Sequence, residues 1–520
     1  MQQKEYYRPI WTCGRYNEKA RVAIFYNLIA GMNYYFEDFS AMVIGEVLKV
    51  QRNGKFCLEN ISAELGIAME SLSAFFVELE KLGIVSSVFP SEDVINDYRK
   101  RISEHNRLVS RTKKETTQEK LPYKTSNAEN RYTDKVKGIT GVMLELTYNC
   151  SEKCMHCYNE GATRNDVERS ERGDRKELKL DDYEKLIDEL YEQGLFKVCL
   201  TGGDPFSNPF VWKIIKYLYD KGIAFDVFTN GQRIIDDVKR LADFYPRLVG
   251  VSIYSGIAEV HDYITRVKGS WRRSMSVVEK LSALGVPLNL KCCVMRPNVK
   301  SYYMVADIAK QYGAVSQFEV CVTDSVDGDQ CVSKYLRMTP EEYEIVLRDD
   351  NIKLYVGKEA SNYGGMARNM DDNVCGAGDN SLCITPEGNV IPCCSFHTVF
   401  GNVKDQSILA IIAGSKELEY WRSRTLHNYE ECGRYDYCAY CNLCPGVNFS
   451  ETGSPLKAAS GNCYIAKIRC GLANKMKCGY DPLQGKSLRQ RLAELPDYAK
   501  VNIKREKSQD FSDTKLKVGG

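Results

Sequence analysis

Six short runs of β-branched and aromatic residues, each followed by an amphipathic helical pattern, constrain this 520-residue chain more than any other feature. The runs fall at 141–148 (GVMLELTY), 196–201 (FKVCLT), 224–229 (AFDVFT), 247–254 (RLVGVSIY), 287–295 (PLNLKCCVM) and 316–322 (SQFEVCV). Between them lie stretches such as DDYEKLIDELYEQG and SMSVVEKLSALG, whose apolar residues recur at helical spacing. Alternation of this length predicts parallel strands joined by right-handed crossover helices. The expected fold class is α/β, a partial (β/α)6 TIM-type barrel over residues 138–330.

The flanks read differently. Within 1–97, Met42, Ile44, Val47 and Leu48 follow a short strand at helical spacing. Further helices are expected over 58–65 and 69–82, the last closing at Gly83, where a left-handed cap suits glycine. Strand, three helices and then GIVSSVF make a winged-helix pattern. Residues 98–137 are rich in Lys, Arg, Asn, Thr and Glu and are expected to form an exposed linker with a helical start. Beyond 330 come a connector (331–370), a cysteine-rich segment (371–478) and a polar, basic tail (479–520) expected to be partly disordered.

Composition narrows the function. A formal net charge of +2 gives no global field for nucleic acid or an anionic membrane. The start, MQQKEYYRPIWTCGRYNEK, lacks the apolar core of a signal peptide, and no apolar run reaches the ~18 residues that a membrane span needs. A cytoplasmic protein is expected, with neither nucleic acid nor membrane as partner. Its 21 cysteines then should not be disulfides. Their crowding at 150–157 and 375–463 points to metal ligation.

The first group, LTYNCSEKCMHCYNEG (146–161), follows the first strand at the end of the barrel where such folds carry their chemistry. Structural zinc needs a fourth ligand at matching spacing, and a disulfide would strand one thiol. Three thiolates can hold three irons of a [4Fe–4S] cube and leave the fourth iron open. The Cys150-x3-Cys154-x2-Cys157 spacing resembles the signature of radical S-adenosylmethionine enzymes. The resemblance extends to TGGDP (201–205), FTNG (228–231) and VSIYSGIAEVHDYITRVKGSW (251–271), each at the end of an expected strand. It implies that Thr201, Gly202, Gly203 and Asp204 meet the methionine end of the cofactor, with Asp204 where Glu is common. It further implies that Thr229 and Asn230 flank the ribose, that Ser252 meets the ribose or carboxylate, and that Arg266 pairs with the carboxylate. His156 would pack or hydrogen-bond beside the cofactor. The implied chemistry is reductive cleavage of S-adenosylmethionine to a 5′-deoxyadenosyl radical, with a flavodoxin- or ferredoxin-type protein as electron donor.

The second group is similar to the SPASM extension of the same superfamily. Its carriers are Cys375-x12-Gly388-x4-Cys393, then Cys432-x5-Cys438-x2-Cys441-x2-Cys444, then Cys463. PEGNVIPC reads as a hairpin turned at Gly388. The resemblance implies two auxiliary [4Fe–4S] clusters. Cys375, Cys393 and Cys444 would hold the first, with Cys383 as a fourth ligand or an open iron in its place. Cys432, Cys438, Cys441 and Cys463 would hold the second. The x5, x2, x2 spacing departs from the common x2, x5, x3, and the adjacent Cys394 could replace Cys393.

The third helix of 1–97, MESLSAFFVELEK, is acidic where a DNA reader is basic. The segment resembles instead the recognition element of pathways that modify ribosomally made peptides, which binds a leader peptide by strand addition. The combined expectation is a radical enzyme that installs a cross-link in a precursor peptide, a cysteine thioether foremost. Carbon–carbon cross-linking, epimerisation, a sulfatase-maturing activity and an iron–sulfur DNA-binding regulator are the alternatives.

Overall fold

In the computed structural model, residues 4–112, 127–159, 177–324, 331–352, 369–371 and 373–499 are described. After β1 (Glu5–Tyr7), three antiparallel strands form a meander: β2 (Thr12–Asn17), β3 (Val22–Asn27) and β4 (Met32–Glu37). Sequence periodicity does not reveal β3, VAIFYN, because all six residues are buried. One face of the meander packs on the helices α1 (Asp38–Lys49), α2 (Leu58–Leu65) and α3 (Met69–Lys81), the other on the barrel. A strand covered on both sides has no polar face to alternate with. The helices expected at 58–65 and 69–82 are present, and Gly83 ends the latter at φ +68°. β1 pairs with β5 (Lys55–Cys57) and bridges to Ser86, completing a small wing.

Residues 98–137 are not the exposed linker expected. α4 (Glu92–Thr112) and α5 (Ala128–Val136) cover much of the stretch and lie against the barrel; the part at 113–126 lies outside the described residues. The reason is a set of buried contacts invisible to composition. Arg99, only 8% exposed, donates to Ala242 O (2.8 Å) and stacks 4.7 Å over Tyr245. Arg15 and Arg52 act alike: each donates to the backbone carbonyl of a tyrosine, Tyr191 (2.8 Å) and Tyr219 (2.7 Å), and stacks on that ring at 3.6 and 3.8 Å. The three carbonyls lie in the last turns of the barrel helices Leu180–Glu192, Val211–Asp220 and Val238–Asp243. Each carbonyl already accepts a backbone N–H, from Gly194, Gly222 and Tyr245 respectively, so the guanidinium takes the second lone pair, and the helix dipole favours a cation there. The amino-terminal layer is thereby seated on the base of the barrel, with Trp11, Ile24 and Tyr26 in one cluster with Phe196 and Ala224.

All six barrel strands occur where expected: β6 (Gly141–Glu145), β7 (Lys197–Thr201), β8 (Ala224–Thr229), β9 (Leu248–Ser252), β10 (Leu288–Cys293) and β11 (Val315–Glu319). They are parallel neighbours in chain order. The cysteine-rich segment continues the same sheet. β12 (Ser381–Ile384) pairs in parallel with β6, from Ser381↔Gly141 to Ile384↔Leu144, and β13 (Asn389–Ile391) and β14 (Gly401–Asn402) follow antiparallel. This addition covers the edge that β6 would otherwise expose. Gly388, at φ +92°, makes the expected turn between β12 and β13. The tail is packed as far as 499: Leu492 and Leu495, around the helix Leu488–Glu494, join the main core. Residues 500–520 lie outside the described residues. Among the described residues no helix is long and apolar enough to cross a membrane.

Candidate active site

The three-cysteine loop leaves β6 and is clamped from two sides. Lys153 N and Met155 N donate to Thr265 O and Ile264 O, both at 3.0 Å. On the other side Gly203 N donates to Thr147 O (2.6 Å) and Asp204 N to Asn149 O (3.0 Å). Glycine is required at 203 because a Cβ there would stand 2.5 Å from Asn149 O. The TGGDP segment thus holds the cysteine loop through its backbone. Cys150, Cys154 and Cys157 all line one cavity of about 550 Å³ between the strand ends and the cysteine-rich segment. Asn230 Nδ2 (3.2 Å) and Glu152 N (3.4 Å) donate to Cys150 Sγ, which favours a thiolate. Burial pushes the free Cys150 thiol up to about 12 and Cys154 well above its ordinary value, so a metal must displace their protons.

Of the cofactor contacts expected, Thr201, Gly202, Gly203, Thr229, Asn230, Ser252 and His156 line this cavity. Asp204 does not. It is fully buried and accepts from Thr229 Oγ1 (2.6 Å), Asn230 N (3.0 Å) and Phe206 N (3.0 Å), so it braces the ends of β7 and β8 behind the wall. Arg266 is also elsewhere: it caps the helix Ala258–Thr265 in a left-handed conformation (φ +57°), exposed and outside the lining. His156 meets Tyr254 edge-on at 4.6 Å, and its buried Nδ1 has no partner. Burial, with His261 nearby, lowers its pKa to about 4, so the ring is neutral at pH 7.

The remaining cysteines separate into groups. After the dominant effect of burial, Cys393 feels Cys394 first and then Cys444 and Cys375, and Cys375 feels Cys444. Cys432, Cys438, Cys441 and Cys463 together line a second, smaller cavity. Cys383 stands apart from Cys375 and Cys444. It is completely buried on β12, and after burial its strongest influences are Glu145 and Cys394, with Cys393 behind them. Cys394 feels Glu145 and hydrogen-bonds with Tyr158. Cys394 sits inside a tight turn closed by Phe396 N donating to Cys393 O (2.9 Å), and spacing alone does not show that the two neighbouring thiols have different surroundings.

Sequence reasoning passed over several cavity residues: Tyr158, Lys291, Glu319, Asn462 and Arg469. A lysine inside LNLKCC and a glutamate ending VSQFE were available signals, since a charge on the inner face of a barrel strand needs a purpose. Lys291 Nζ lies 3.1 Å from the Phe228 ring centre, and burial lowers its pKa. Asn462 and Arg469 carry no local signal.

Residues 144–300 match the Radical SAM superfamily profile, and residues 375–445 match SPASM, an iron–sulfur cluster-binding domain. The chain thus carries a radical SAM domain and, carboxy-terminal to it, a SPASM domain. Its relatives include the antilisterial bacteriocin subtilosin biosynthesis protein AlbA of Bacillus subtilis, 26% identical over 64% of this chain and 70% of that one. The mycofactocin maturase MftC of Mycobacterium tuberculosis is 27% identical over 64% and 84%. The crystal structure of Streptococcus suis SuiB bound to precursor peptide SuiA shares the fold, with a TM-score of 0.51 at 14% identity over 88% of this chain and 99% of that one.

The cofactors of these domains are S-adenosylmethionine, one [4Fe–4S] cluster in the radical SAM domain and auxiliary clusters in SPASM. The residues fit them. A cube spreads its thiolate ligands around a volume, and here the thiols ring cavities. Among the described residues no three or more His, Cys, Asp or Glu converge as for a single metal ion. The cavity also suits a nucleoside-sized ligand and holds unpartnered polar atoms, His156 Nδ1 and Glu152 Oε1.

Proposed function

We propose that this protein is a peptide maturase that cross-links a ribosomally made precursor, most plainly by forming a cysteine thioether. One observation carries the reading. A single cavity is walled on one side by Cys150, Cys154 and Cys157 and on the other by Cys444, from the three-thiol group of Cys375, Cys393 and Cys444. Bound together, the first cluster and S-adenosylmethionine supply hydrogen-atom abstraction by an adenosyl radical. The chain's residues do the rest. Cys150, Cys154 and Cys157 hold the cluster, Thr201–Gly203, Thr229, Asn230 and Ser252 seat the cofactor, and Asp204 fixes that wall from behind. Held by Cys375, Cys393 and Cys444 alone, an auxiliary cluster would keep one iron open, able to bind a substrate thiolate. A flavodoxin- or ferredoxin-type donor supplies the electrons.

Leader recognition falls to the amino-terminal layer. Met69 and Val77 sit exposed on one face of α3, with Val88 and Phe89 exposed beyond it, a surface suited to an extended apolar peptide. Glu70 on the same helix is exposed and repels phosphate. Because this layer sits at the barrel's base, the peptide must run along the barrel to reach the mouth.

The test is anaerobic reconstitution followed by co-expression with a short cysteine-bearing peptide encoded beside the gene. The expected product has lost two hydrogens at a cysteine that no longer alkylates. An unchanged mass with inverted stereochemistry would replace cross-linking by epimerisation, and two lost hydrogens with a free cysteine would indicate a carbon–carbon bond. Equal 5′-deoxyadenosine from wild type and a Cys150/Cys154/Cys157→Ala variant would sink the enzyme reading.

A further inference from the structure

Two side chains of the helix Ser460–Lys477 stand between the sites just described. Asn462 (7% exposed) borders both the large cavity and the smaller one ringed by Cys432, Cys438, Cys441 and Cys463. Arg469 (3% exposed) lies two turns further on, on the same helix face, and lines the large cavity. Its Nη1 donates to Tyr440 O at 3.1 Å, the carbonyl immediately before Cys441. Arg469 Nε and Asn462 Nδ2 are buried donors without a hydrogen-bond partner.

A buried guanidinium needs a counter-charge, and no carboxylate among the described residues forms an ion pair with Arg469. The group whose charge it feels most is Cys441, ahead of Glu319 and Cys321. As one of four thiolates on a [4Fe–4S]2+ cube, Cys441 would belong to a dianion. Arg469 would then be paired, and the open N–H of Asn462 would face a sulfur acceptor.

We propose that Arg469, seconded by Asn462, is the internal counter-charge of the second auxiliary cluster and sets that cluster's reduction potential from the cavity side. The inference rests on Cys432, Cys438, Cys441 and Cys463 holding one cluster. The step concerned is the one-electron couple between [4Fe–4S]2+ and [4Fe–4S]1+, in which no bond forms or breaks and one negative charge is added. A fixed positive charge beside the cube favours the reduced form, so it raises the potential.

The experiment is an EPR-monitored redox titration of the reconstituted full chain, with dithionite as reductant. Arg469→Met is expected to shift the midpoint of the second auxiliary cluster to more negative potential. Arg469→Lys should stay near wild type, and the radical SAM cluster should not move in either variant. An unchanged midpoint in Arg469→Met with full iron content overturns the proposal. Should that variant fail to hold iron, Asn462→Asp decides. Its carboxylate would neutralise Arg469 and must shift the same midpoint negative, and a wild-type value overturns the proposal. Cys441→Ala identifies the signal, which must disappear. Its persistence would overturn the ligand assignment, a failure distinct from that of the counter-charge.

Discussion

Gly203 leaves no room for a side chain at the site, and Gly203→Ala turns that constraint into a measurement. A Cβ at this position would stand 2.5 Å from Asn149 O, 2.6 Å from Tyr148 O and 2.7 Å from Tyr148 C. Ordinary contact begins near 3.4 Å, so the backbone entering the cysteine loop must retreat by about 1 Å. No flexible side chain is available to yield, because all three obstacles are main-chain atoms. The retreat stretches the bonds from Gly203 N to Thr147 O (2.6 Å) and from Asp204 N to Asn149 O (3.0 Å), which hold the loop. Overpacking of this kind costs about 1–3 kcal/mol, roughly a 5- to 140-fold loss in cluster retention at ~1.4 kcal/mol per decade. The cost falls on Cys150, next to the clashing Asn149, and leaves the SPASM thiols untouched. The assay is iron and sulfide content with EPR after anaerobic reconstitution, alongside 5′-deoxyadenosine formation. The variant should lose the radical SAM cluster signal and most cleavage while keeping the auxiliary signals. Wild-type loading and cleavage in Gly203→Ala would refute the view that this glycine exists for the close approach of the loop.

Three other outcomes follow from the geometry. Cys393→Ala should lose the irons of one auxiliary cluster, whereas Cys383→Ala should keep full iron content, as counted by colorimetric iron assay. Burial pushes the Glu145 carboxyl up to about 8, against the Tyr148 hydroxyl that donates to it at 3.2 Å, and Glu387 adds repulsion. The folded protein therefore favours protonated Glu145, and that stabilisation is complete at acidic pH and lost as pH rises through about 8. It amounts to at most about 5 kcal/mol, so the apparent Tm of wild type should fall from pH 5 to 9 more steeply than that of Glu145→Gln; parallel profiles would refute it. Arg52→Ala removes a charged hydrogen bond and a stacked cation at the barrel's base, about 1–3 kcal/mol. Limited proteolysis should then release the amino-terminal layer faster at unchanged 5′-deoxyadenosine formation.

What was legible in the sequence was local. The six β/α units show because each strand and helix carries its own periodicity over a few residues. The three-thiol loop shows because its ligands lie within eight positions. The Gly388 hairpin and the closing of α3 at Gly83 show because a positive φ selects glycine on the spot.

What the tertiary structure decided depended on partners far along the chain. β3 escaped notice because the barrel base buries its second face, and 98–137 read as linker because Arg99 finds its partners at Ala242 and Tyr245. Asp204 moved from cofactor contact to brace, and Arg266 left the site, because the paths of neighbouring loops fix which way each side chain points. Cys393 and Cys394 differ by one position in sequence, yet one faces Cys444 and the other Tyr158. The tight turn that follows β13, closed by Phe396 N on Cys393 O, sets their different surroundings, and no spacing rule contains it.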